Sequence, residues 1–313
     1  MTATAPRSRL AGESRERPAT RSGGALRPPG RVRRIRPGDC EYPAALTEIS
    51  GFPQQLFVTG KSLGNALAVA VVGTRRASRY GIEVAELLGR ELAEAGITVV
   101  SGLAWGIDAA AHRGALAAGG ATVAVLGNGL DVCFPKRNRW LYERIAAEGT
   151  LISEYEAGTP ALRHNFPLRN RIIAGISCAA VIVEATAKGG AMITARLAME
   201  YGRDVFAMPG PVHSPASAGC HALVRDGARL VTCARDVLED LGWLCLASEK
   251  QSPHLDPDES RVLGVLEAQG ILLETLARRC RMPISTVSAV MTRLEIRGLA
   301  THCPGGRFAL AVT

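Results

Sequence analysis

The chain has 313 residues, 47% of them apolar, with 34 Gly, 17 Pro and a formal charge of +8. That length suits one or two domains and buries enough surface to need no disulfides. Its eight cysteines (40, 133, 178, 220, 233, 245, 280 and 303) form no C-x-x-C and accompany no His pair at zinc spacing, which argues against a disulfide scaffold and a zinc module. Every apolar run is interrupted before the ~18 to 20 residues of a membrane span. The Arg-rich start contains a twin Arg33-Arg34 but no apolar segment that would make it a secretory or export signal, so a soluble cytoplasmic protein is expected. The charge is uneven. Residues 1–39 hold ten Arg against three acids, while the rest carries 27 basic and 26 acidic side chains. Nucleic-acid binding by the folded part would therefore need a local patch.

In chain order, residues 1–37 mix Arg, Ser, Gly and Pro without apolar periodicity and read as a disordered basic tail. Residues 38–66 read as a short helical lead-in. From residue 67 short apolar runs alternate with helical spacing. Strands are expected at Leu67–Val72, Ile97–Val100, Thr122–Leu126, Leu151–Ser153, Ala179–Val183, Asp204–Met208 and Leu230–Val231. The intervening helices are Tyr80–Ala95, Ile107–Ala118, Asn138–Ala147, Pro167–Ile176, Gly190–Tyr201 and Val237–Leu241. Near-continuous apolar strands alternating with helices predict an α/β fold, a doubly wound, mostly parallel Rossmann-like sheet over 67–245. A Ser- and Pro-bearing linker at 246–257 leads to three short helical patterns and a Gly-turn hairpin, which predict a small winged-helix domain over 258–313.

In such a sheet, ligands bind beyond the carboxyl ends of the strands. Those ends are rich in Gly and cations: Gly73-Thr74-Arg75-Arg76, Ser101-Gly102, Gly127-Asn128-Gly129 and Lys188-Gly189-Gly190. A Gly-rich turn into a helix presents free N–H groups and the positive end of the dipole, an anion site. Seven cations (Arg75, Arg76, Lys136, Arg163, Arg169, Arg171 and Lys188) are expected to converge on one rim, where Phe166 is placed to stack a base. The chain has no Walker A motif, no nucleophile elbow and no metal cluster. Glu154, Glu184, Asp108 and His112 are weak material for catalysis, and neither an enzyme nor a cofactor is expected.

As a set, GTRRASRYG from Gly73, SGLAWGIDAAAH from Ser101, GATVAVLGNGLD from Gly120, FPLRNRIIAG from Phe166, GGAMIT from Gly189 and GRDVFAMPG from Gly202 resemble the DNA-processing protein A family (DprA, also called Smf). The resemblance covers about residues 38–242, and the C-terminal module resembles the winged helix that many members carry. It implies a single-stranded DNA-binding protein that protects incoming DNA in natural transformation, loads the recombinase RecA and acts as a dimer. Carried over by motif, Arg75 would bind a phosphate, Lys136 would line the same groove, and Arg163 and Phe166 would flank the strand. Arg169 and Arg171 would belong to the Arg-Asn-Arg motif, while Ser101, Gly102, Gly190 and Thr194 would shape or donate to the phosphate pocket. Dimerisation would involve roughly His221–Leu241. The chain departs from the family in carrying Gly189-Gly190 where Ser-Gly is usual and Phe134-Pro135 where Tyr-Pro is usual, and where many members carry an N-terminal helical domain a basic tail and a lead-in are expected.

Two other readings come from different classes. One is a nucleotide-binding or nucleoside-monophosphate-cleaving enzyme, with Glu184 as its acid. The other is a transcription regulator acting through the winged helix. Residues 254–313 hold seven Arg and six acids, and Glu295 sits between Arg293 and Arg297, so an accessory or protein-contact role is favoured over operator binding.

Overall fold

The computed structural model describes residues 30–63, 67–244, 256–266, 270–296, 300–303 and 306–310. The chain divides after Trp243 into two compact units. The expected tail up to residue 29 and most of the expected linker, 246–255, lie outside the described residues.

The first unit is built on nine strands: β1 (Arg33–Ile35), β2 (Leu56–Gly60), β3 (Ala68–Val72), β4 (Thr98–Ser101), β5 (Thr122–Leu126), β6 (Thr150–Ser153), β7 (Ala179–Ile182), β8 (Asp204–Ala207) and β9 (Arg229–Leu230). Their order is β1-β2-β6-β5-β4-β3-β7-β8-β9. The seven strands from β6 to β9 in that order are parallel, while β1 and β2 are antiparallel additions at one edge. All five residues of β3 and of β5 are buried, which is why these strands read as unbroken apolar runs. The chain winds outward from β3 in one direction through β4, β5 and β6, then returns to β7 and winds the other way. The topological switch point therefore lies between β3 and β7, paired from Val69↔Ala179 to Val72↔Ile182.

Seven helices cover the faces: α1 (Arg79–Glu94), α2 (Ile107–Ala117), α3 (Arg139–Glu148), α4 (Asn165–Ile176), α5 (Gly190–Glu200), α6 (Ala218–Arg225) and α7 (Ala234–Asp240). On one face Leu116 of α2 and Leu141, Tyr142 and Ile145 of α3 pack on Leu126 and Leu151. On the other, Ile172 and Ile173 of α4, Met192 of α5 and Leu223 of α6 pack on Val100, Ile152 and Ile182. The α1–α2 contact is unusually close: a methyl at Gly114 would stand 1.9 Å from Glu86 O, and one at Gly89 2.3 Å from Ala111 O.

Three elements differ from the sequence expectation. Only Ala44–Glu48 of the lead-in is helical, as one 3-10 turn, whereas Leu56–Gly60 form a strand. The range read as a disordered tail contains β1. Helix α6 falls in a stretch for which no element was predicted. The first two depend on distant partners: β2 pairs with β6 and β1 with β2, so the local pattern alone carries little of the signal. Ile35 and Leu46 are buried, and Arg33–Glu41 (3.0 Å) and Arg203–Glu48 (2.9 Å) ion pairs tie the segment down.

The second unit holds α8 (Pro257–Leu263), α9 (Leu273–Cys280) and α10 (Ile284–Ile296) with a small antiparallel sheet. Its strands, β10 (Ile271–Leu272), β11 (Ala300–Cys303) and β12 (Arg307–Leu310), are ordered β10-β12-β11. Val262, Leu276, Val287, Val290 and Leu294 form its core, and an Asp256–Glu259 capping box starts α8. Three helices and a β-wing make this a winged-helix domain. Among the described residues of the chain, no helix is long and apolar enough to cross a membrane.

Candidate nucleic-acid interface

The loops leaving β3 and β7 diverge at the switch point and open a cavity of about 810 Å³. Its walls include Arg75, Arg163, Phe166, Arg169, Gly190 and Thr194. Tight backbone packing shapes the rim. A methyl at Gly73 would lie 2.5 Å from Ile107 Cγ1, and Gly106 takes φ +92°, where a methyl would lie 2.4 Å from Thr74 O. Ser78 caps α1 by accepting from Gly81 N at 3.1 Å. Helix α5 starts at Gly190 with no side-chain cap, so N–H groups of its first turn are not taken by a capping side chain beside the cavity. A methyl at Gly190 would meet nothing within 4 Å, consistent with open space above the helix end.

On the opposite wall α4 begins with Asn165, whose Nδ2 donates to Gly127 O at 3.0 Å. This seats Phe166 against Gly127, where a methyl would come within 3.0 Å of the ring. The Arg75 guanidinium lies 5.2 Å above the Phe166 centroid, and the Phe134 ring stands 5.4 Å from it at 35°. The exposed Arg75 thus presents a fork of donors braced on an aromatic face at the cavity mouth. Beyond Arg75 and Phe166 is a second, smaller hollow of about 220 Å³ that includes Gly102, Trp105 and Arg137.

The structure does not bring all the predicted residues together. Arg169 is only 4% exposed and serves as a strut: it donates to Gly102 O at 2.8 Å and to Val125 O. Burial lowers its pKa to about 10, against the attraction of Asp108. Asp108 is itself buried, accepts from Gly102 N at 3.2 Å and Ala104 N at 3.4 Å, and has its carboxyl pushed up by burial against the pull of Arg169. Arg169 therefore underlies the cavity rather than presenting a free fork. Arg171 leaves the rim altogether. Its Nη2 donates to both Glu154 oxygens at 2.7 Å and its Nη1 to Gly51 O at 2.6 Å, pinning the lead-in to the end of β6. Ser101 is fully buried and donates its hydroxyl to Val71 O at 2.6 Å, so it is no donor to the cavity. Arg76, Lys136 and Lys188 are exposed but do not line the cavity.

The acidic candidates are engaged elsewhere. Glu184 is buried at the N-terminus of α1, with its carboxylate accepting from Ser78 N at 2.9 Å and Ser78 Oγ at 2.5 Å. Its backbone has φ +51°, and its carbonyl accepts from Thr74 N at 2.7 Å, which joins the β3 and β7 loops. Glu154 is held by Arg171. His112 is fully buried against Thr122, with Nδ1 and Oγ1 2.7 Å apart.

The sequence reading missed Phe134, Trp105 and Arg137 as site residues. Phe134 precedes a Pro-Lys pair on a strand-end loop, and Trp105 interrupts an otherwise small-residue loop. Those were the available signals.

The chain matches two family models: the DNA recombination-mediator protein A model over residues 33–242 and the DprA winged helix domain model over residues 247–306. The DNA processing protein DprA described as putative in Mycobacterium tuberculosis strain H37Rv is 42% identical over 89% of this chain and 77% of its own length. The crystal structure of DNA processing protein A from Streptococcus pneumoniae has 44% identity and a TM-score of 0.65, covering 67% of this chain and 74% of that one. The Helicobacter pylori protein of the same name, reported for its single-stranded DNA binding mode, has 29% identity and a TM-score of 0.63, covering 69% and 98%. The Rossmann-like sheet with its switch-point cavity, the C-terminal winged-helix domain and the matches to both units agree: the chain belongs to the DNA recombination-mediator protein A family.

Proposed function

We propose that this chain binds single-stranded DNA without sequence readout, protects it and passes it to the recombinase RecA, acting by binding rather than catalysis. The observation that carries the reading is Arg75, exposed and braced on Phe166 at the mouth of a cavity into which α5 presents its N-terminal end. Phosphate oxygens suit the fork and the N-terminal end of α5, and an unpaired base suits the aromatic faces. In this reading Arg75, Arg163, Phe166, Gly190 and Thr194 touch the strand, and Arg76, Lys136 and Lys188 supply positive potential around it. Arg169, Gly102 and Ser101 support the loops from beneath. A homodimer forms through roughly His221–Leu241, and the winged helix has an accessory, protein-contact role.

The test is fluorescence anisotropy with a labelled poly-dT strand and a matching duplex across a salt series. Preference for the single strand with a steep salt dependence is expected. Equal or tighter duplex binding would shift the reading to the winged helix. Absence of binding to either would refute it.

A further inference from the structure

Glu184 follows β7 with φ +51°, a left-handed backbone that residues other than glycine adopt only where their surroundings hold them. It is 4% exposed and grips the neighbouring turn at two points. Its carbonyl accepts from Thr74 N at 2.7 Å, and its carboxylate accepts from Ser78 N at 2.9 Å and from Ser78 Oγ at 2.5 Å. Thr74 and Ser78 bracket Arg75 and Arg76 in the turn from β3 to α1. Two other ties, Arg76 N to Thr74 Oγ1 at 3.1 Å and Ile107 N to Thr74 O at 3.3 Å, act at the Thr74 end of that turn. At the Ser78 end it is the Glu184 carboxylate that reaches across from β7.

The fit is close: a methyl at Gly81 would stand 2.3 Å from Glu184 Oε2. The carboxylate therefore lies against the first turn of α1, where the helix dipole and the backbone N–H groups favour an anion. A strand–turn–helix unit ordinarily offers that place to a ligand phosphate, and here the protein's own carboxylate fills it. We propose that Glu184 is a positioning residue for strand binding: as an internal anion at the α1 N-terminus it fixes the turn that holds Arg75 at the cavity mouth, and it leaves the end of α5 to the strand's phosphate. The proposal rests on the single-strand reading above, because Glu184 acts through Arg75.

The experiment is a double-mutant cycle on the full chain. Glu184→Ala, Arg75→Ala and the pair are each titrated with labelled poly-dT across a salt series, with the folded fraction of each read from a denaturation curve. Glu184→Ala should weaken binding about tenfold, the worth of one charge-assisted contact. Like Arg75→Ala, it should lower the slope of log affinity against log salt by about 0.7. The pair should bind no more weakly than Arg75→Ala alone, because a residue acting through Arg75 then has nothing left to position. A purely structural role would lower the denaturation midpoint and leave the affinity of the folded chain unmoved. Glu184→Gln keeps one acceptor oxygen for Ser78 and should recover part of the loss. Wild-type affinity in folded Glu184→Ala, or losses that add in the pair, would overturn the proposal, while a loss in Arg75→Ala would still uphold the single-strand reading. If Arg75→Ala is itself silent, both fall. Should Glu184→Ala not fold, Ser78→Ala removes the hydroxyl contact alone and enters the same cycle, with a smaller loss that must again vanish in the pair with Arg75→Ala.

Discussion

At the residue scale, the arginines divide by partner. Arg75 is exposed above Phe166, Arg169 is buried under Gly102 and Val125, and Arg171 is held by Glu154. Arg75→Ala should weaken poly-dT binding and lower the slope of log affinity against log salt by about 0.7, the loss of one phosphate contact on a single strand. Arg169→Ala should instead cost about 3–5 kcal/mol of stability, because it leaves Asp108 without its buried counter-charge and two carbonyls without donors. A chemical-denaturation midpoint reads that loss. Arg169→Lys should recover little of it, since an ammonium has no planar fork. Part of this division was legible beforehand: Arg169 and Arg171 are two positions apart on one helix, hence about 200° around its axis, and cannot share a face. Which face met the cavity was not legible, because that depends on how α4 lies on the sheet.

At the element scale, α2 is held from two sides. Gly114 and Gly89 let its backbone approach α1, so Gly114→Ala should destabilise the protein by about 1–3 kcal/mol through overpacking, read as a lower melting temperature. On its other side His112 meets β5. The Thr122 hydroxyl donates to Val99 O at 2.9 Å, so His112 Nδ1–H donates to Thr122 Oγ1. Its Nε2 is buried without a partner among the described residues, and burial lowers the pKa to about 3. With the folded value depressed below the ordinary 6.5, this group's contribution is present above pH 6.5 and is lost as pH falls. The loss should reach about 2 kcal/mol between pH 6.5 and 5. His112→Asn should flatten that part of the denaturant-midpoint profile, and an equally steep profile would refute the assignment. Asp108 and His112 are four residues apart on one helix and so share a face, a spacing that does not disclose their divergent duties. Asp108 turns to the strand-end loops and His112 to the sheet.

At the scale of the whole molecule, the sheet ends in short edges, three residues in β1 and two in β9. Leu230 on β9 is 52% exposed and lies within the proposed dimer region. Leu230→Asp should therefore convert a dimer to a monomer in sedimentation velocity, and a wild-type monomer would sink the dimer itself. Apart from α6, the succession of parallel strands and helices from residue 67 onward was determined by the sequence alone, because buried strands carry continuous apolar runs and the helices between them carry their own periodicity. The Gly-rich strand ends, and hence the end of the sheet that holds the cavity, were legible for the same local reason. The antiparallel edge strands were decided by the pairing of β2 with distant β6 and of β1 with β2, contacts that leave little trace in the local residues. The duties of the cations were decided there too. An arginine's sequence neighbours do not say whether it will find a carbonyl, a carboxylate, an aromatic ring or water, and only the folded chain puts one of those within reach.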